Sequence, residues 1–395
     1  NIIWRGRFPI DSWRGDFPSM DPKDAPNCPN ACGLCEEHQQ KTCCVVLEVT
    51  SKCNLHCKFC FANGGEETEK EPSFEKLCED IKALAVGGRT LLQLSGGEPT
   101  ERSDLPQLVR AAKAAGCKYV QLNTNGLRIG RDPKYLHELA EAGLSFVFLQ
   151  FDGTDDGIYK ALRNRPLFLD KCRAIAACSR ENIGVTLVST IVPNVNTHAL
   201  GDILRFGIKH SPAVRGVHFQ PASFFGRIPN APTDHERYLL DELIYDLSEQ
   251  SQGLISVGDL TPSCCDHPLC GFHGDFVVLP KGKLMSLGKK GIAKKPSCCC
   301  SEEAATKNRE FVGRRWQRPA VSRVKVKSST SNWDSGAIDM EEFIERTKTH
   351  GFTVTSMAFQ DAGNLDLERL RKCSLHVFKD GRFIPFCSNY LSSWK

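Results

Sequence analysis

Two groups of cysteines in this chain share one spacing. Both follow the pattern C-x3-C-x2-C, first in "CPNACGLC" (Cys28, Cys32 and Cys35) and then in "CNLHCKFC" (Cys53, Cys57 and Cys60). Closely spaced thiolates are ligands for zinc or for iron–sulfur clusters. The chain has 20 cysteines, but disulfide-rich secreted scaffolds, the alternative explanation, are usually small domains. We therefore expect metal or cluster ligation in a reducing cytoplasm.

The two groups differ in whether a fourth ligand is nearby. Cys43 completes a set of four with the first group, whereas the next unclaimed cysteine after the second group, Cys78, lies in a predicted helix. Three thiolates on a four-iron cluster leave one iron open to a substrate or cofactor, while four thiolates close the cluster. The second group is therefore the candidate reactive centre. For the first group a structural zinc ion is an equally suitable occupant.

Alternating strand and helix patterns position these loops. Apolar, β-branched runs typical of buried strands occur at 45–50, 90–95, 119–124, 146–151, 185–192 and 216–221. Helical spacing follows each of them, at 73–86, 104–116, 133–143, 168–181, 198–209 and 234–249. Successive β/α units predict an α/β fold, with a parallel sheet curved into a partial (β/α)6 TIM barrel.

The barrel separates the two cysteine groups in space. Ligands of such sheets bind at the carboxyl ends of the strands. The group that begins at Cys53 follows the first strand directly, so it lies at the catalytic mouth. The group that begins at Cys28 follows the Pro-rich "FPSMDPKDAPN" and precedes the first strand, so it belongs to an N-terminal extension.

Composition excludes some classes of protein. Over 395 residues, 41% are hydrophobic and 25% charged, and the net charge of +4 is too small to indicate a nucleic-acid partner. No apolar run approaches the roughly 20 residues of a membrane-spanning helix, and "NIIWRGRFPI" has charges where a signal peptide has its apolar core. We expect a cytoplasmic protein. The basic stretch 281–327 is compatible with a peripheral contact to anionic lipid headgroups, or with a solvated face.

The loop that carries Cys53, Cys57 and Cys60, called the active loop from here on, resembles that of the radical S-adenosylmethionine (SAM) superfamily. An aromatic residue, Phe59, precedes the last cysteine, and the next strand ends in "SGGEP". The resemblance implies that the open iron of a [4Fe-4S] cluster on Cys53, Cys57 and Cys60 is chelated by SAM. It also implies that SAM is cleaved to methionine and a 5′-deoxyadenosyl radical, which abstracts hydrogen from an unactivated C–H bond. On cysteine spacing alone, a zinc site is the alternative.

The resemblance also implies contacts with SAM. Gly96 and Gly97 would allow a close approach of the backbone to the methionine end, and Glu98, followed by Pro99, would accept from its ammonium group. Arg163 would pair with the SAM carboxylate. Ribose or carboxylate contacts would come from the ends of the third and fourth strands, at Asn123, Thr124, Asn125, Gln150 and Asp152. Strand-end polar residues also serve as simple caps, which is the alternative explanation for these residues.

Longer motifs resemble the tetraether lipid synthase family and its bacterial relatives. They are "CPNACGLCEEHQQKTC", "GVHFQP", the C-x4-C around "DHP", and the ending "MAFQDAGNLDLERLRKC…GRFIPFC". The resemblance implies three [4Fe-4S] clusters, two of them auxiliary: one on Cys28, Cys32, Cys35 and Cys43, the other on Cys265, Cys270, Cys373 and Cys387. It divides the chain into an N-terminal cluster-binding extension (1–44), the radical SAM barrel (45–254) and a C-terminal α+β auxiliary-cluster domain (255–395). Archaeal members carry a rubredoxin-like site before these motifs, but no cysteine precedes Cys28 here.

The family resemblance implies a lipid substrate. The enzyme would join lipid chains by a C–C bond after hydrogen abstraction, with an electron donor such as a ferredoxin or flavodoxin. A channel would be lined by 219–228 and 384–386. The alternatives are a radical SAM methyltransferase, a peptide- or small-molecule-modifying radical SAM enzyme, and a non-catalytic iron–sulfur electron carrier. The run Cys298–Cys300 has three possible roles in this interpretation: a substitute cluster ligand, a redox pair or unused thiols.

Overall fold

The computed structural model describes residues 38–65, 71–85, 91–230, 233, 236–263, 265–288, 301–319 and 339–391. The predicted ligands Cys28, Cys32 and Cys35 lie outside the described residues, as does the run Cys298–Cys300. The cysteines inside them form no disulfide bonds. Within the same ranges, no helix is both long and apolar enough to cross a bilayer.

The predicted β/α alternation is confirmed. The strands are β1 (Cys44–Thr50), β2 (Leu91–Gly96), β3 (Tyr119–Thr124), β4 (Phe146–Gln150), β5 (Gly184–Ile191) and β6 (Val214–Pro221). The helices are α1 (Phe74–Leu84), α2 (Leu105–Ala114), α3 (Leu127–Arg131), α4 (Pro133–Glu141), α5 (Asp156–Arg163), α6 (Phe168–Arg180), α7 (Leu200–Lys209) and α8 (Leu240–Gln250). The short helices α3 and α5 were not predicted. All six strands run parallel, each beside the next.

The C-terminal third continues the same sheet. It contains β7 (Thr261–Pro262), β8 (Gly271–Val278), β9 (Leu284–Ser286), α9 (Glu302–Trp316), α10 (Met340–Thr349), β10 (Gly351–Met357), α11 (Leu367–Arg371), β11 (Leu375–Lys379), β12 (Arg382–Pro385) and α12 (Phe386–Asn389). β10 pairs in parallel with β6, and β11 pairs in parallel with β1. The strand order is β12-β11-β1-β2-β3-β4-β5-β6-β10-β8-β7, with β9 beside β8. The sheet is therefore open, with the C-terminal strands extending both sides of the partial barrel.

Alternation along the strands separates two environments. On β2, Leu92 and Leu94 are fully buried in the main core that packs against the helices. Gln93 and Ser95, between and after them, line a cavity on the inner face of the sheet. Successive residues of a strand point to opposite faces, so each strand contributes to both the core and the cavity.

Helix α9 lies across the amino ends of the central strands and forms the floor of the cavity. Its Trp316 Nε1 donates to Thr353 Oγ1 of β10 at 3.1 Å, and Arg215 Nε of β6 donates to the Arg315 carbonyl at 2.9 Å. The start of β5 is equally close, since a Cβ added to Gly184 would lie 2.0 Å from the Trp316 carbonyl oxygen. Part of the basic stretch predicted as a lipid-facing or solvated surface therefore packs inward.

Replacing Gly184 with alanine is expected to separate α9 from the sheet. The added methyl group meets backbone rather than a flexible side chain, so we expect the free energy of unfolding to fall by about 1–3 kcal/mol. Guanidinium denaturation of the anaerobically purified protein measures the change. Gly258→Ala, where the nearest atom is Ser256 Oγ at 3.9 Å, is the matched control. Equal stability of the two variants would show that α9 does not pack against the start of β5.

Candidate functional site

The three cysteines of the active loop line one cavity. Cys53, Cys57 and Cys60 follow β1, and the backbone N–H groups of Leu55 and Gly64 donate to Cys53 Sγ and Cys60 Sγ, each at 3.4 Å. Burial, together with the nearby Glu98, Cys57 and Cys60, raises the pKa of the Cys53 thiol to about 12. A cationic cluster would offset this crowding of acidic groups, so the donor set fits iron–sulfur ligation.

Arg227 holds this loop in place, although sequence reasoning missed it. Its backbone pairs with that of Cys60 through hydrogen bonds of 2.9 and 3.0 Å. Its guanidinium donates from Nε to the Cys57 carbonyl and from Nη2 to the Gly64 carbonyl, both at 2.8 Å. Arg227 lies in the predicted channel segment 219–228. Its distance in sequence from the loop left no local signal for this contact.

The glycine turn after β2 packs directly against the end of β1. Gly97 N donates to Thr50 O at 2.8 Å, and Gly96 has a φ of +123°. A Cβ on Gly96 would lie 2.2 Å from Thr50 O, and one on Gly97 would lie 2.2 Å from Lys52 O. Only glycine fits at these two positions, because the backbone of the neighbouring loop leaves no room for a side chain. The turn thus lies immediately beside the cysteine loop, as the predicted SAM contact requires.

Glu98 connects the ends of two strands. Its side chain is 1% exposed, and Oε1 accepts from Thr100 Oγ1 and Thr124 Oγ1, both at 2.6 Å. Oε2 accepts from Asn125 N at 2.7 Å. Burial raises the pKa of Glu98 against these hydrogen bonds. A carboxylate oxygen accepts more than one bond, so the predicted contact with the SAM ammonium group rests on Oε2.

Arg163 and Asp152 form a buried ion pair. Arg163 Nε and Nη2 donate to the two carboxylate oxygens at 2.6 and 2.9 Å, and Asp152 is fully buried. Arg163 also donates to the Phe59 carbonyl at 3.2 Å and lines the cavity. Asp152 is not among the lining residues. The structure therefore places Asp152 behind Arg163, where it orients the guanidinium, instead of at the cavity wall.

The remaining predicted contacts occupy one polar wall. Asn123, Asn125 and Gln150 line the cavity. Asn123 accepts from Gln121 Nε2 at 2.6 Å, and Gln150 donates to Asp152. Pro99 begins the 3-10 turn Pro99–Glu101 that follows the glycine turn. Sequence reasoning thus placed these polar strand ends correctly at one edge of the sheet, and their contacts with SAM remain predictions.

Lys171 supports this wall from behind and was not predicted. It lies on α6, is fully buried, and donates from Nζ to Asn125 O and to Gln150 Oε1, both at 2.6 Å. Burial lowers its pKa to about 8. A signal was present in the sequence. Lys171 shares its helix face with Ala174, Ile175 and Cys178, all of them buried.

We use the name second thiol group for Cys270, Cys373 and Cys387, which come together from distant segments of the chain. Burial raises the pKa of Cys373, and Asp266, Cys387 and Cys270 raise it further. Gln360 N donates to Cys387 Sγ at 3.3 Å, and Arg369 Nε donates to Cys270 Sγ at 3.4 Å. Cys265 and Cys43 line the cavity. Among the described residues, no group of three Cys, His, Asp or Glu side chains is close enough together to hold a single metal ion.

Lys171 should give the protein a characteristic dependence of stability on pH. In the folded state its pKa is about 8, whereas an unfolded lysine titrates near 10.4. Between these values the unfolded chain binds more protons, so stability rises with pH. Relative to Lys171→Met, the wild-type protein should gain about 1.4 kcal/mol of unfolding free energy per pH unit from about pH 8 to 10.

Guanidinium denaturation at several pH values measures this difference. Lys160→Met, at an exposed position on α5, is the control and should follow the wild-type dependence. Parallel curves for wild type and Lys171→Met would contradict a buried, weakly basic Lys171.

Comparisons with known proteins support the superfamily. A family described as the Radical SAM superfamily matches residues 47–207. A 7,8-dihydro-6-hydroxymethylpterin dimethyltransferase of Methanocaldococcus jannaschii is 30% identical over 91% of this chain and 79% of its own length. A PqqA peptide cyclase of Bradyrhizobium diazoefficiens is 29% identical over 55% of this chain and 58% of the relative.

Among solved structures, SuiB of Streptococcus suis bound to S-adenosylmethionine is 17% identical, with a TM-score of 0.41 over 54% of this chain and 47% of that chain. The finer resemblance to the tetraether lipid synthases remains a prediction. The long alignment with the methyltransferase and the match over the barrel strands establish the family: the chain belongs to the radical SAM superfamily.

Proposed function

We propose that this radical SAM enzyme methylates a small polar heterocycle of the pterin type inside the cavity floored by α9. The observation that carries the proposal is the cavity itself, about 460 Å³ in volume, which extends from the thiols of the active loop to residues of α9. That volume is typical of a small-molecule site. Support comes from the M. jannaschii relative, which aligns over most of both chains and is a pterin dimethyltransferase.

The cluster would be held by the cysteines of the active loop, and SAM by the glycine turn, Glu98 and Arg163. When bound, a [4Fe-4S] cluster on Cys53, Cys57 and Cys60 would supply the electron that cleaves SAM, and the resulting 5′-deoxyadenosyl radical would take a hydrogen atom from the substrate. Gly96 and Gly97 would admit the methionine end, Glu98 Oε2 would accept from its ammonium group, and Arg163 would face its carboxylate. We further propose a ferredoxin or flavodoxin as the electron donor.

Polar groups on the walls support a heterocyclic substrate. Gln93, Asn123 and Gln150 present carboxamides to the cavity, and His218 presents an imidazole. Phe148 lines the same wall, with its ring centroid 5.9 Å from that of His218. Hydrogen-bonding groups beside an aromatic face suit a flat, polar ring.

A second candidate function, C–C coupling of lipid chains, is favoured by an aromatic wall of the same cavity. This wall consists of Phe61, Phe225, Phe359 and Phe386. Phe225 and Phe386 belong to the two segments predicted to line a lipid channel. The wall adjoins the second thiol group, because Gln360, next to Phe359, donates to Cys387 Sγ. An alkyl chain would gain most of its binding energy from such a surface.

The mass of the product distinguishes the two candidates. We expect the reconstituted enzyme, given SAM, a reductant and 7,8-dihydro-6-hydroxymethylpterin under anaerobic conditions, to yield a product heavier by one methylene group for each methyl transferred. The net change replaces a C–H hydrogen with a methyl group from a second SAM molecule: the hydrogen atom ends in 5′-deoxyadenosine, and the reductant supplies the electrons consumed by SAM cleavage and by methyl transfer. A lipid product lighter by two hydrogens for each bond formed, with no change to the pterin, would establish the second candidate.

Cys57→Ala is the matched variant for this experiment. It should abolish 5′-deoxyadenosine formation, because two thiolates cannot retain an open-site cluster. Cys78→Ala, on α1 and away from the cavity lining, should leave the yield of 5′-deoxyadenosine unchanged. Undiminished SAM cleavage in Cys57→Ala would refute the assignment of the active loop.

The second thiol group is proposed to hold an auxiliary cluster, and iron analysis tests this. Cys387→Ala should lower the iron content of the anaerobically purified protein by about four atoms per chain. Cys178→Ala, which also removes a buried thiol but lies in α6, should retain all of the iron. Equal iron contents of the two variants would argue against a cluster at Cys265, Cys270, Cys373 and Cys387.

A further inference from the structure

The floor of the cavity carries an ion pair that lies outside the residues assigned to the cluster and to SAM. Asp275 of β8 and Arg315 of α9 both line the cavity, and their side chains are 19% and 17% exposed. Their nearest nitrogen and oxygen atoms are 3.6 Å apart. This separation is beyond a normal hydrogen bond. The Asp275 carboxylate therefore keeps its acceptor capacity for a bound molecule.

His218 adds a neutral group to the same region. Its Nδ1 lies 2.7 Å from Thr355 Oγ1, and its ring lines the cavity. Burial lowers its pKa to about 4, so the imidazole is uncharged at neutral pH. With Asp275 and Arg315 of opposite sign, these three groups carry no net charge. They offer both acceptors and donors for hydrogen bonds.

We propose that Asp275 and Arg315 form a recognition site for the amino-pyrimidinone edge of a neutral, planar heterocycle. This inference rests on the proposed function and specifies how the substrate is chosen. The Asp275 carboxylate accepts from an exocyclic amino group and the adjacent ring N–H, while the Arg315 guanidinium donates to the neighbouring ring carbonyl. Charge-assisted hydrogen bonds of this kind discriminate strongly, because a ligand without the donors covers the half-buried carboxylate without giving it a hydrogen bond.

An alkyl chain makes a poor occupant of this floor. It would remove water from Asp275 and Arg315 without replacing the lost hydrogen bonds, which is costly for charged groups. A free anion is disfavoured as well, since the Asp275 carboxylate repels it. The floor thus favours a neutral ring with adjacent donors and acceptor over both.

Equilibrium binding to the anaerobically reconstituted holoenzyme tests the proposal with two probes. The first is 6-hydroxymethylpterin, and the second is 6-hydroxymethyllumazine, in which an oxo group replaces the amino group. We expect the wild-type protein to bind the pterin about 10- to 100-fold more tightly than the lumazine. Asp275→Asn should weaken binding of the pterin by a similar factor and largely remove the preference. Asp380→Asn, in the β11–β12 turn, is the control and should retain both.

Each outcome is decisive. If wild-type protein binds and methylates the dihydropterin but shows no preference over the lumazine, the recognition site is wrong and the proposed function stands. If it binds neither probe yet cleaves SAM, the pterin substrate and the recognition site both fail. The comparison of two probes on the wild-type chain needs no variant, so it remains valid even if Asp275→Asn does not fold.

Discussion

The close contact between the ends of β1 and β2 sets the geometry of the whole site. Gly97 donates to Thr50 O at 2.8 Å, and neither Gly96 nor Gly97 has room for a side chain. The cysteine loop leaves β1 at the same point where the glycine turn leaves β2. Because backbone meets backbone there, the sheet fixes Glu98 and the start of the cysteine loop, and Arg227 holds the rest of the loop. A site built on strand ends is more precise than one carried by free loops.

Four buried charges lie at the carboxyl ends of the strands or behind them, and they balance. Glu98 and Asp152 are acidic, Arg163 and Lys171 are basic, and all are at most 5% exposed. Asp152 is matched by Arg163 in a two-point ion pair, while Glu98 is stabilised by hydroxyl and backbone donors. Buried charges are tolerated only when they are paired or well hydrogen-bonded. Ionisation of the three thiols would upset this balance, and a cationic iron–sulfur core would offset most of the added negative charge.

The fold and the reactive loop could be predicted because their signals are local. The alternation of strands and helices, the C-x3-C-x2-C spacing and the GGEP turn each occupy a few successive residues. Arg227 escaped prediction because its partner Cys57 is distant in sequence. Lys171 was missed, despite its place on the apolar face of α6, because a lysine in a helix usually faces solvent. The floor helix α9 was read only as part of a basic stretch, yet Arg315 turns inward to the cavity. The assembly of Cys270, Cys373 and Cys387 was implied by family resemblance, since no local pattern joins them.

The two ends of the cavity differ in the groups that line them, and this difference constrains which part of a bound molecule can react. The thiols of the active loop and Glu98 belong to the carboxyl ends of the strands, whereas Arg315 belongs to the helix that crosses the amino ends. A compact ring bound in the proposed way, by its polar edge at the floor, would therefore direct its opposite edge toward the thiols. The ring edge remote from the hydrogen-bonding groups is then the part exposed to hydrogen abstraction. In this proposed binding mode, specificity would lie at the amino ends of the strands and reactivity at their carboxyl ends, so that either could change without rebuilding the other.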